Sequence, residues 1–310
     1  MHPTAAAWFT HRTSGWRDWP LPRLVAAKSD TRISVVLPAL DEEPTVGKII
    51  SGVRELGALV DEIVVIDSGS TDGTAAVATE AGATVHHRDD ILPGLGSYPG
   101  KGEALWKALA VTSGDVIVYL DADLIDFRPH YVTGLLGPLL TDPAVALVKA
   151  FYDRPLLDIS AAGGGRVTEL MARPLLNAYF PELAGVAQPL AGEYAARRGV
   201  LESLPFAAGY GVEIGLLIDV VRAHGHDAVA QVDLGERTHG HQDTAALGRM
   251  AATILHAVMQ RVSPGRQLWP ELTQFQRRDG ELTALDAEIT WPARPPIATA
   301  LGDGGARWSP

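Results

Sequence analysis

Two carboxylates one residue apart are the part of this sequence with the clearest chemical potential. Asp121 and Asp123 directly follow residues 116–120, five apolar or aromatic residues of which three are β-branched. Such a run predicts a buried parallel strand, and open α/β sheets bind ligands beyond the carboxyl ends of their strands. Two anions held there would repel each other and lose hydration, which a divalent cation carrying a nucleotide diphosphate would offset. The pair therefore predicts a metal and nucleotide site, with a solvated acidic turn as the alternative.

Three other segments are expected at the same edge of the sheet. A strand at residues 33–38 leads into Pro-Ala-Leu-Asp-Glu, a strand at residues 62–67 leads into Asp-Ser-Gly-Ser-Thr-Asp-Gly, and Lys101 lies between two glycines at a helix start. Two common phosphate-binding signatures do not fit. Five residues rather than four separate Gly94 from Gly100, and no Gly-x-Gly-x-x-Gly follows the first strand. The sequence therefore argues against P-loop and NAD-dependent chemistry.

The elements that would position these segments alternate between strands and helices. Strands at residues 33–38, 62–67, 83–86 and 116–120 alternate with helices that end near residues 56, 80 and 110. This order predicts an α/β fold with a parallel sheet and right-handed crossovers. Beyond residue 130 we expect strands at 145–150 and 228–233, and helices after the glycine run at 163–165, after residue 213 and over 244–262.

The two ends of the chain are predicted to be appendages. Residues 1–30 carry Trp8, Trp16 and Trp19 among polar residues and prolines, and are expected to form an arm packed on the main body. Residues 266–310 are rich in proline and glycine and are expected to form a partly mobile tail. Between them we expect a first subdomain over residues 31–125 and a second over residues 126–265.

The composition disfavours several classes of protein. The 310 residues include 37 acidic and 26 basic side chains and no cysteine, for a net charge of −11. General nucleic-acid binding is therefore disfavoured, and thiol nucleophiles, disulfides and thiolate metal sites are excluded. Polar residues at 10–13 interrupt the apolar residues near the N-terminus, and no run approaches the roughly 18 apolar residues of a membrane span. We expect a cytoplasmic protein without a membrane span.

In combination the motifs resemble a known family. The four segments at the sheet edge are similar to the nucleotide-sugar-binding half of GT-A glycosyltransferases. Gly-Arg-Val-Thr-Glu-Leu at 165–170, Gly-Tyr-Gly-Val-Glu-Ile-Gly at 209–215 and Glu-Arg-Thr-His at 236–239 extend the resemblance to glucosyl-3-phosphoglycerate synthases and their mannosyl relatives. It implies a Rossmann-like, mostly parallel sheet flanked by helices, with nucleotide-sugar binding in the first subdomain and acceptor binding in the second.

The resemblance also implies an activity. A hexose would pass from a nucleoside diphosphate sugar, with UDP-glucose foremost, to the 2-hydroxyl of 3-phosphoglycerate with retention at the anomeric carbon. Mg²⁺ would be the cofactor, with Mn²⁺ or another divalent ion as a substitute, and the protein would be a homodimer. Mannosyl transfer from GDP-mannose and hexosyl transfer to a polyprenyl phosphate are the alternatives. A nucleotidyltransferase and a non-catalytic nucleotide-sugar sensor match the motifs less well.

Individual roles carry over by position. The donor would be bound by Pro38, Ala39, Leu40, Glu42, Ser68, Lys101, Asp121, Ala122, Asp123, Tyr210, Glu213 and Arg237. The acceptor would be bound by Gly165, Arg166, Val167 and Thr168, the metal by Asp123 and His239, and catalysis would involve Glu213, Lys101 and Asp121. Oxygen ligands suit Mg²⁺, a glycine-rich helix start suits an anion, and arginine pairs well with phosphate or carboxylate.

Simpler roles are open for some of these residues. Lys101 could be an exposed lysine at a helix start, Glu213 could make a structural hydrogen bond, and Arg166 could pair with Glu169.

Three positions depart from the family pattern. Ala122 offers no side-chain hydroxyl to a ribose, and His241 stands where relatives carry a different polar residue. Asp41 stands where relatives often have Asn, and its charge would repel a diphosphate unless it points away; we expect it to cap the following helix.

Overall fold

A central sheet of eight strands organises this computed structural model, which describes residues 1–153, 165–237, 243–278, 280–289 and 293–301. The strands are β1 (Thr13–Gly15), β2 (Ile33–Ala39), β3 (Glu62–Asp67), β4 (Thr84–His87), β5 (Val116–Tyr119), β6 (Leu147–Asp153), β7 (Tyr194–Arg197) and β8 (Val229–Glu236). Their order across the sheet is β1-β8-β6-β7-β5-β2-β3-β4. All neighbours run parallel except β7, which is antiparallel to both β6 and β5.

The predicted mostly parallel α/β fold is therefore confirmed. Every residue of β2 from Ile33 to Leu37 is fully buried, as expected for a parallel strand covered on both faces. The antiparallel β7 was not predicted, because its four residues carry no β-branched side chain and give little strand signal.

Helices cover both faces of this sheet. They are α1 (Pro3–Arg12), α2 (Leu21–Lys28), α3 (Glu43–Arg54), α4 (Thr74–Ala81), α5 (Lys101–Val111), α6 (His130–Thr141), α7 (Arg173–Tyr179), α8 (Arg198–Glu202), α9 (Val212–His224), α10 (Thr244–Val262) and α11 (Ile297–Ala300). Helices α5, α9 and α10 share one apolar core, and α2, α3, α4 and α6 share the core on the opposite face. Within the described ranges, no helix is both long and apolar enough to span a bilayer.

The N-terminal tryptophans pack on the body of the protein, as the sequence predicts. Trp8 is 1% exposed and donates its indole N–H to the carbonyl of Val229 at 2.9 Å. Trp16 stacks on His130 with ring centroids 4.2 Å apart. The same segment also supplies β1, an edge strand parallel to β8 that its composition did not suggest.

The C-terminal residues form more structure than their proline and glycine content predicts. Strands β9 (Glu271–Arg278) and β10 (Glu281–Glu288) pair as an antiparallel hairpin that turns at Gly280, whose φ of +87° favours glycine. Beyond it, Arg294 pairs with Phe206 in a short β-bridge, and Ile297 is 1% exposed. These described residues of the predicted tail therefore carry regular structure and contacts to distant parts of the chain.

Candidate active site

The predicted donor-site residues meet at the carboxyl edge of the sheet. Four strand ends carry them: Pro38, Ala39, Leu40 and Glu42 at β2, Ser68 at β3, Asp121, Ala122 and Asp123 at β5, and Arg237 at β8. Lys101 is the first residue of α5, and Tyr210 and Glu213 lie at the start of α9. The parallel strands thus bring residues almost 200 positions apart to one edge, as predicted.

Lys101 forms the centre of a buried ion cluster. Its ammonium contacts the Asp121 carboxylate and lies 2.8 Å from Oε1 of Glu213. Burial by itself lowers the pKa of Lys101, but the two carboxylates outweigh it and raise the pKa above the ordinary lysine value. Lys101 is therefore a charged, fixed side chain, and the alternative of an exposed helix-start lysine is wrong, because only 15% of its side chain is exposed.

The two glycines that flank Lys101 permit a close approach between two segments of backbone. A Cβ at Gly102 would overlap the carbonyl oxygen of Ala207, and Gly100 has a φ of +107° with Ala208 directly opposite. The amide of Glu103 completes the contact by donating to the carbonyl of Ala208 at 3.0 Å. The Gly-Lys-Gly sequence therefore fixes the start of α5 against the segment that leads to α9.

Arg237 binds several acids at once. Its Nη1 donates to Oε1 of Glu193 at 2.6 Å and to the Tyr152 hydroxyl oxygen at 2.7 Å, and its Nη2 donates to Oδ1 of Asp123 at 3.0 Å. Nη1 also lies 3.5 Å from Oδ2 of Asp121. Tyr152 donates its hydroxyl to the second oxygen of Glu193 at 2.9 Å. This network fixes Asp121 and Asp123 relative to the buried Glu193.

A glycine and a buried lysine form the floor beneath Asp121. A Cβ at Gly192 would overlap the Asp121 carboxylate, so only glycine leaves room for it. Lys149, 1% exposed, donates to the carbonyl of Ala191 and lies 4.8 Å from the ring centroid of Tyr194. Burial lowers the pKa of Lys149 to about 8. Asp121 is therefore closely packed against Gly192, and the buried Lys149 lies beneath this contact.

The loops after β2 and β3 are locked together by side-chain hydrogen bonds. Asp41 has a left-handed backbone with φ +57°, and its carboxylate accepts from the amide of Thr71 at 2.7 Å. The expectation that Asp41 caps the following helix is wrong, because Glu42 occupies the N-cap position and Asp41 binds the neighbouring loop. Asp is one of the few residues other than glycine that tolerate this backbone conformation.

Glu42 lies beside the Asp-x-Asp pair. Thr45 joins the two, since its hydroxyl donates to the carbonyl of Ala122 at 2.6 Å and contacts the Glu42 carboxylate at 3.5 Å. Burial, followed by the negative charge of Asp123, raises the pKa of Glu42 to about 7. Burial and Asp121 likewise raise the pKa of Asp123. Both shifts arise first from burial and then from the neighbouring carboxylates.

The residues predicted to bind the acceptor lie at the helical start before α7. Arg166 is in the first turn, and Val167 and Thr168 are 8% and 4% exposed. The carboxylate of Glu169 accepts two hydrogen bonds from Arg173, each 2.9 Å long. Gly165 is described, whereas the preceding glycines 163–164 of the predicted anion-binding turn lie outside the described residues.

The charge balance of the described side chains fits a divalent cation. Five carboxylates and three cations make up the cluster: Glu42, Asp121, Asp123, Glu193 and Glu213 against Lys101, Lys149 and Arg237. With all ionised, two negative charges remain, and the Asp123 side chain is 57% exposed. The second predicted ligand, His239, lies outside the described residues, in the segment after Arg237. Across the described ranges, no three His, Cys, Asp or Glu side chains are grouped to hold a metal.

Several supporting residues escaped prediction from sequence. Glu193, Tyr152 and Lys149 are among them, and each contacts a predicted residue or the floor below it. The signal that could have found them is the burial of ionisable groups in apolar segments, because such groups need a partner.

Comparisons with known proteins give consistent results. A family model described as glycosyl transferase family 2 matches residues 34–159. A glucosyl-3-phosphoglycerate synthase from Mycolicibacterium paratuberculosis is 48% identical over 302 residues, which cover 94% of this chain and 91% of the relative.

Solved structures resemble most of this chain. A glucosyl-3-phosphoglycerate synthase from Mycobacterium tuberculosis, solved with Mn²⁺, UDP-glucose and phosphoglyceric acid, has a TM-score of 0.82 at 48% identity and covers 90% of this chain and 94% of its own. The same enzyme has been solved with Mn²⁺, UDP and glucosyl-3-phosphoglycerate. A mannosyl-3-phosphoglycerate synthase from Rubrobacter xylanophilus has a TM-score of 0.88 at 42% identity, covering 95% of this chain and 97% of its own.

Proposed function

The chain belongs to the glucosyl-3-phosphoglycerate synthase family, and we propose that it transfers glucose from UDP-glucose to the 2-hydroxyl of 3-phosphoglycerate. The observation that carries this proposal is the relative at 48% identity whose complex holds Mn²⁺, UDP-glucose and phosphoglyceric acid. The cluster around Lys101 and Asp121 supports it, because its cations and carboxylates suit a diphosphate, a divalent ion and a sugar.

The donor would lie across the ends of β2, β3 and β5. Leu40 is 55% exposed and Tyr210 is 49% exposed, so both can cover a bound ligand. In this proposal Pro38, Ala39, Leu40, Glu42 and Ser68 contact the nucleotide, and Asp121, Ala122, Asp123, Tyr210, Glu213 and Arg237 contact the diphosphate and sugar. Lys101, held by two carboxylates, would approach the negative charge of the diphosphate without rearrangement.

The reaction we propose is a front-face transfer with retention. The bond between the anomeric carbon and the diphosphate breaks, the bond to the acceptor oxygen forms, and the proton of the acceptor hydroxyl passes to the departing diphosphate. Glu213 pairs with Lys101, and Glu193 pairs with Arg237. Because these buried carboxylates already have cationic partners, we assign Glu213 to orienting the sugar rather than to nucleophilic attack.

The acceptor is a small trianion, and an acidic chain needs a local cation to bind it. Arg166 supplies that charge in our proposal, and the amides at Gly165, Val167 and Thr168 lie at a helix start, where anions bind favourably. Arginine can hold a phosphate or carboxylate through two parallel hydrogen bonds.

Asp123 and His239 would hold the metal ion. A bound Mg²⁺ or Mn²⁺ would stabilise the charge that develops on the leaving diphosphate. The net negative charge of the described cluster supports such an ion.

We further propose that residues 31–125 chiefly serve the donor and residues 126–265 the acceptor. Both parts contribute strands to one sheet, since β5 and β2 belong to the first part while β6, β7 and β8 belong to the second.

A second candidate function is mannosyl transfer from GDP-mannose. It is favoured by the Rubrobacter xylanophilus mannosyl-3-phosphoglycerate synthase, whose TM-score of 0.88 is the higher of the two although its identity of 42% is the lower. The donor assay below separates the two.

We also propose that a second copy of the chain covers the hairpin of β9 and β10. Phe275 and Leu282 are 66% and 62% exposed, and Trp269 just before the hairpin is 75% exposed. A two-stranded hairpin is marginally stable alone in water, and exposed apolar patches mark interaction sites. A twofold axis would bring the same patch of two copies together. Light scattering should show a dimer that Phe275→Glu with Leu282→Glu dissociates, whereas a wild-type monomer would refute the proposal.

The experiment that tests the activity pairs donors with acceptors. UDP-glucose, GDP-glucose and GDP-mannose are each incubated with 3-phosphoglycerate and Mn²⁺, and release of nucleotide diphosphate is followed. We expect release from UDP-glucose that requires both 3-phosphoglycerate and metal. Preference for GDP-mannose would favour the second candidate, and release independent of 3-phosphoglycerate would refute the acceptor assignment. Asp123→Asn is the matched control, because it keeps the shape of the site and removes the negative charge of the proposed metal ligand.

A further inference from the structure

An arginine near the C-terminal end of the described chain reaches the base of the proposed donor site. Arg294 is 6% exposed and makes two hydrogen bonds to the fully buried carboxylate of Glu103, 2.8 Å from Nε and 2.7 Å from Nη2. It also donates to the carbonyls of Leu95 and Gly96, both at 3.0 Å. Its guanidinium carbon lies 4.2 Å from the ring centroid of Tyr98. These partners all belong to the loop and helix start that carry Lys101.

The backbone of the same arginine contacts the other side of the site. The amide of Arg294 donates to the carbonyl of Phe206 at 2.7 Å, and its carbonyl accepts from the Phe206 amide at 3.0 Å. Phe206 directly precedes Ala207 and Ala208, the residues on which the glycines around Lys101 pack. Arg294 therefore lies where the segment carrying Lys101 meets the segment leading to Glu213.

Neighbouring contacts hold Arg294 itself in place. The indole N–H of Trp106, in α5, donates to the carbonyl of Pro295 at 2.8 Å. Ile297 is 1% exposed and belongs to the apolar core around α5. Residues 294–297 are thus attached to α5 by a hydrogen bond and by apolar packing.

We propose that Arg294 is a positioning residue for donor binding, acting through Lys101. The loop before Lys101 contains Gly96 and Gly100, with φ of +62° and +107°, so its backbone has much freedom to lose. Arg294 fixes this loop by donating to the carbonyls of Leu95 and Gly96, and it fixes the first turn of α5 by binding Glu103. The Lys101 ammonium is thereby held between Asp121 and Glu213. This inference rests on the proposed function, in which Lys101 meets the diphosphate.

Displacement of Lys101 would weaken binding of the donor and leave binding of the acceptor unchanged. Misplacing a catalytic group by about 1 Å can cost on the order of a hundredfold in rate. The residues proposed to bind the acceptor belong to a different element, the segment before α7, whereas the side chain of Arg294 binds the loop before Lys101 and the first turn of α5. A purely structural role would instead lower the amount of folded enzyme and change neither KM.

A single and a double variant distinguish an effect on donor binding from a loss of stability. Arg294→Met alone leaves Glu103 buried without its main partner, since the Lys107 ammonium is 3.8 Å away, and is expected to lower Tm. Arg294→Met with Glu103→Gln removes the guanidinium and the carboxylate together and should recover part of that loss, because Lys107 then keeps only its hydrogen bonds to the Arg88 carbonyl and the Ser97 hydroxyl. The double variant cannot restore the bonds to Leu95 and Gly96. We expect its kcat/KM for UDP-glucose to fall on the order of tenfold to a hundredfold, with an unchanged KM for 3-phosphoglycerate.

Arg198 provides the matched control at the opposite end of the same helix. It is 9% exposed and donates to the carbonyl of Leu109 at 3.0 Å and to the hydroxyl of Thr112 at 2.8 Å. Arg198→Met should lower Tm and leave the KM for both substrates unchanged.

The outcomes are distinct. A double variant with partly recovered Tm and wild-type donor kinetics would overturn the inference, as would equal losses toward donor and acceptor. Equilibrium titration with UDP and Mn²⁺ measures donor affinity without turnover, and we expect weaker UDP binding by the double variant. Failure of the proposed function would appear in the wild type, as absent UDP release. Failure of this inference would appear in the ratio of variant to wild-type UDP affinity.

Discussion

Replacing Arg237 with methionine is expected to destabilise the protein strongly, because it leaves a buried carboxylate without its cation. Arg237 is 6% exposed, Glu193 is fully buried, and Nη1 lies 2.6 Å from Oε1. Breaking a buried ion pair by removing one partner costs about 3–5 kcal/mol. Tyr152 still donates to Glu193 at 2.9 Å, so we expect about 3 kcal/mol. The lost contact with Asp123 adds little, because that side chain is 57% exposed.

A double-mutant cycle isolates the ion pair from other effects of the substitution. Glu193→Gln removes the buried charge and keeps a hydrogen-bonding side chain beside Tyr152. The double variant Arg237→Met with Glu193→Gln should therefore be more stable than Arg237→Met alone, with a coupling energy of about 2 kcal/mol. Urea unfolding of all four proteins, compared at equal m-values and without added metal, measures these free energies.

The deficit should also depend on pH with a defined sign. Burial raises the pKa of Glu193, and Arg237 opposes that rise in the wild type. Without Arg237 the folded-state pKa lies further above the unfolded value. An acid of this kind loses stability as pH rises between its unfolded and folded pKa values. The deficit of Arg237→Met should therefore be smaller at about pH 5 than at about pH 8. A deficit below about 1 kcal/mol at the higher pH, or strict additivity in the cycle, would mean that Arg237 does not stabilise the buried charge of Glu193.

Three further substitutions test the site. Glu213→Gln should lower kcat on the order of tenfold to a hundredfold and leave UDP affinity in titrations near the wild-type value; full activity would remove Glu213 from the mechanism. Gly192→Ala should lower both kcat/KM for UDP-glucose and Tm, because a Cβ would displace the Asp121 carboxylate from Lys101 and Arg237; wild-type kinetics would show that residue 192 has room for a side chain. Burial raises the pKa of Glu42 from 4.5 to about 7. The wild type should therefore lose stability as the pH rises between these two values. Glu42→Gln should avoid that loss and be about 1–2 kcal/mol more stable than wild type at pH 8 in urea unfolding without metal, after allowance for solvent screening; identical pH profiles would contradict the shift.

The fold was predictable where the sequence carries strong local patterns. The apolar runs of β2, β3 and β5 predicted a parallel sheet, and the carboxyl-edge rule then placed Glu42, Asp121 and Asp123 together. The helix predicted over residues 244–262 coincides with α10 (Thr244–Val262). Strand and helix patterns depend on residues that are close together in the sequence, so these elements could be predicted from the sequence alone.

The unpredicted parts depend on contacts distant in sequence. Arg237 pairs with Glu193, 44 positions away, and nothing near either residue identifies the other. Arg294 binds Glu103 across 191 positions, so the proline-rich segment around it resembled a loose tail until that contact was known. The sequence around Asp41 is typical of a helix N-cap, which is why a cap was predicted. In the structure its carboxylate accepts instead from the amide of Thr71, in the loop after β3.

The linkage and anomeric configuration of the reaction product show whether the protein transfers glucose as we propose. UDP-glucose labelled with ¹³C at the anomeric carbon is incubated with the protein, 3-phosphoglycerate and Mn²⁺, and the product is examined by ¹³C, ¹H and ³¹P NMR. We expect a glucoside joined to the 2-oxygen of 3-phosphoglycerate in the α configuration of the donor, formed only when acceptor and metal are both present. A β-linked product, a link to another position, or free glucose released to water would contradict it.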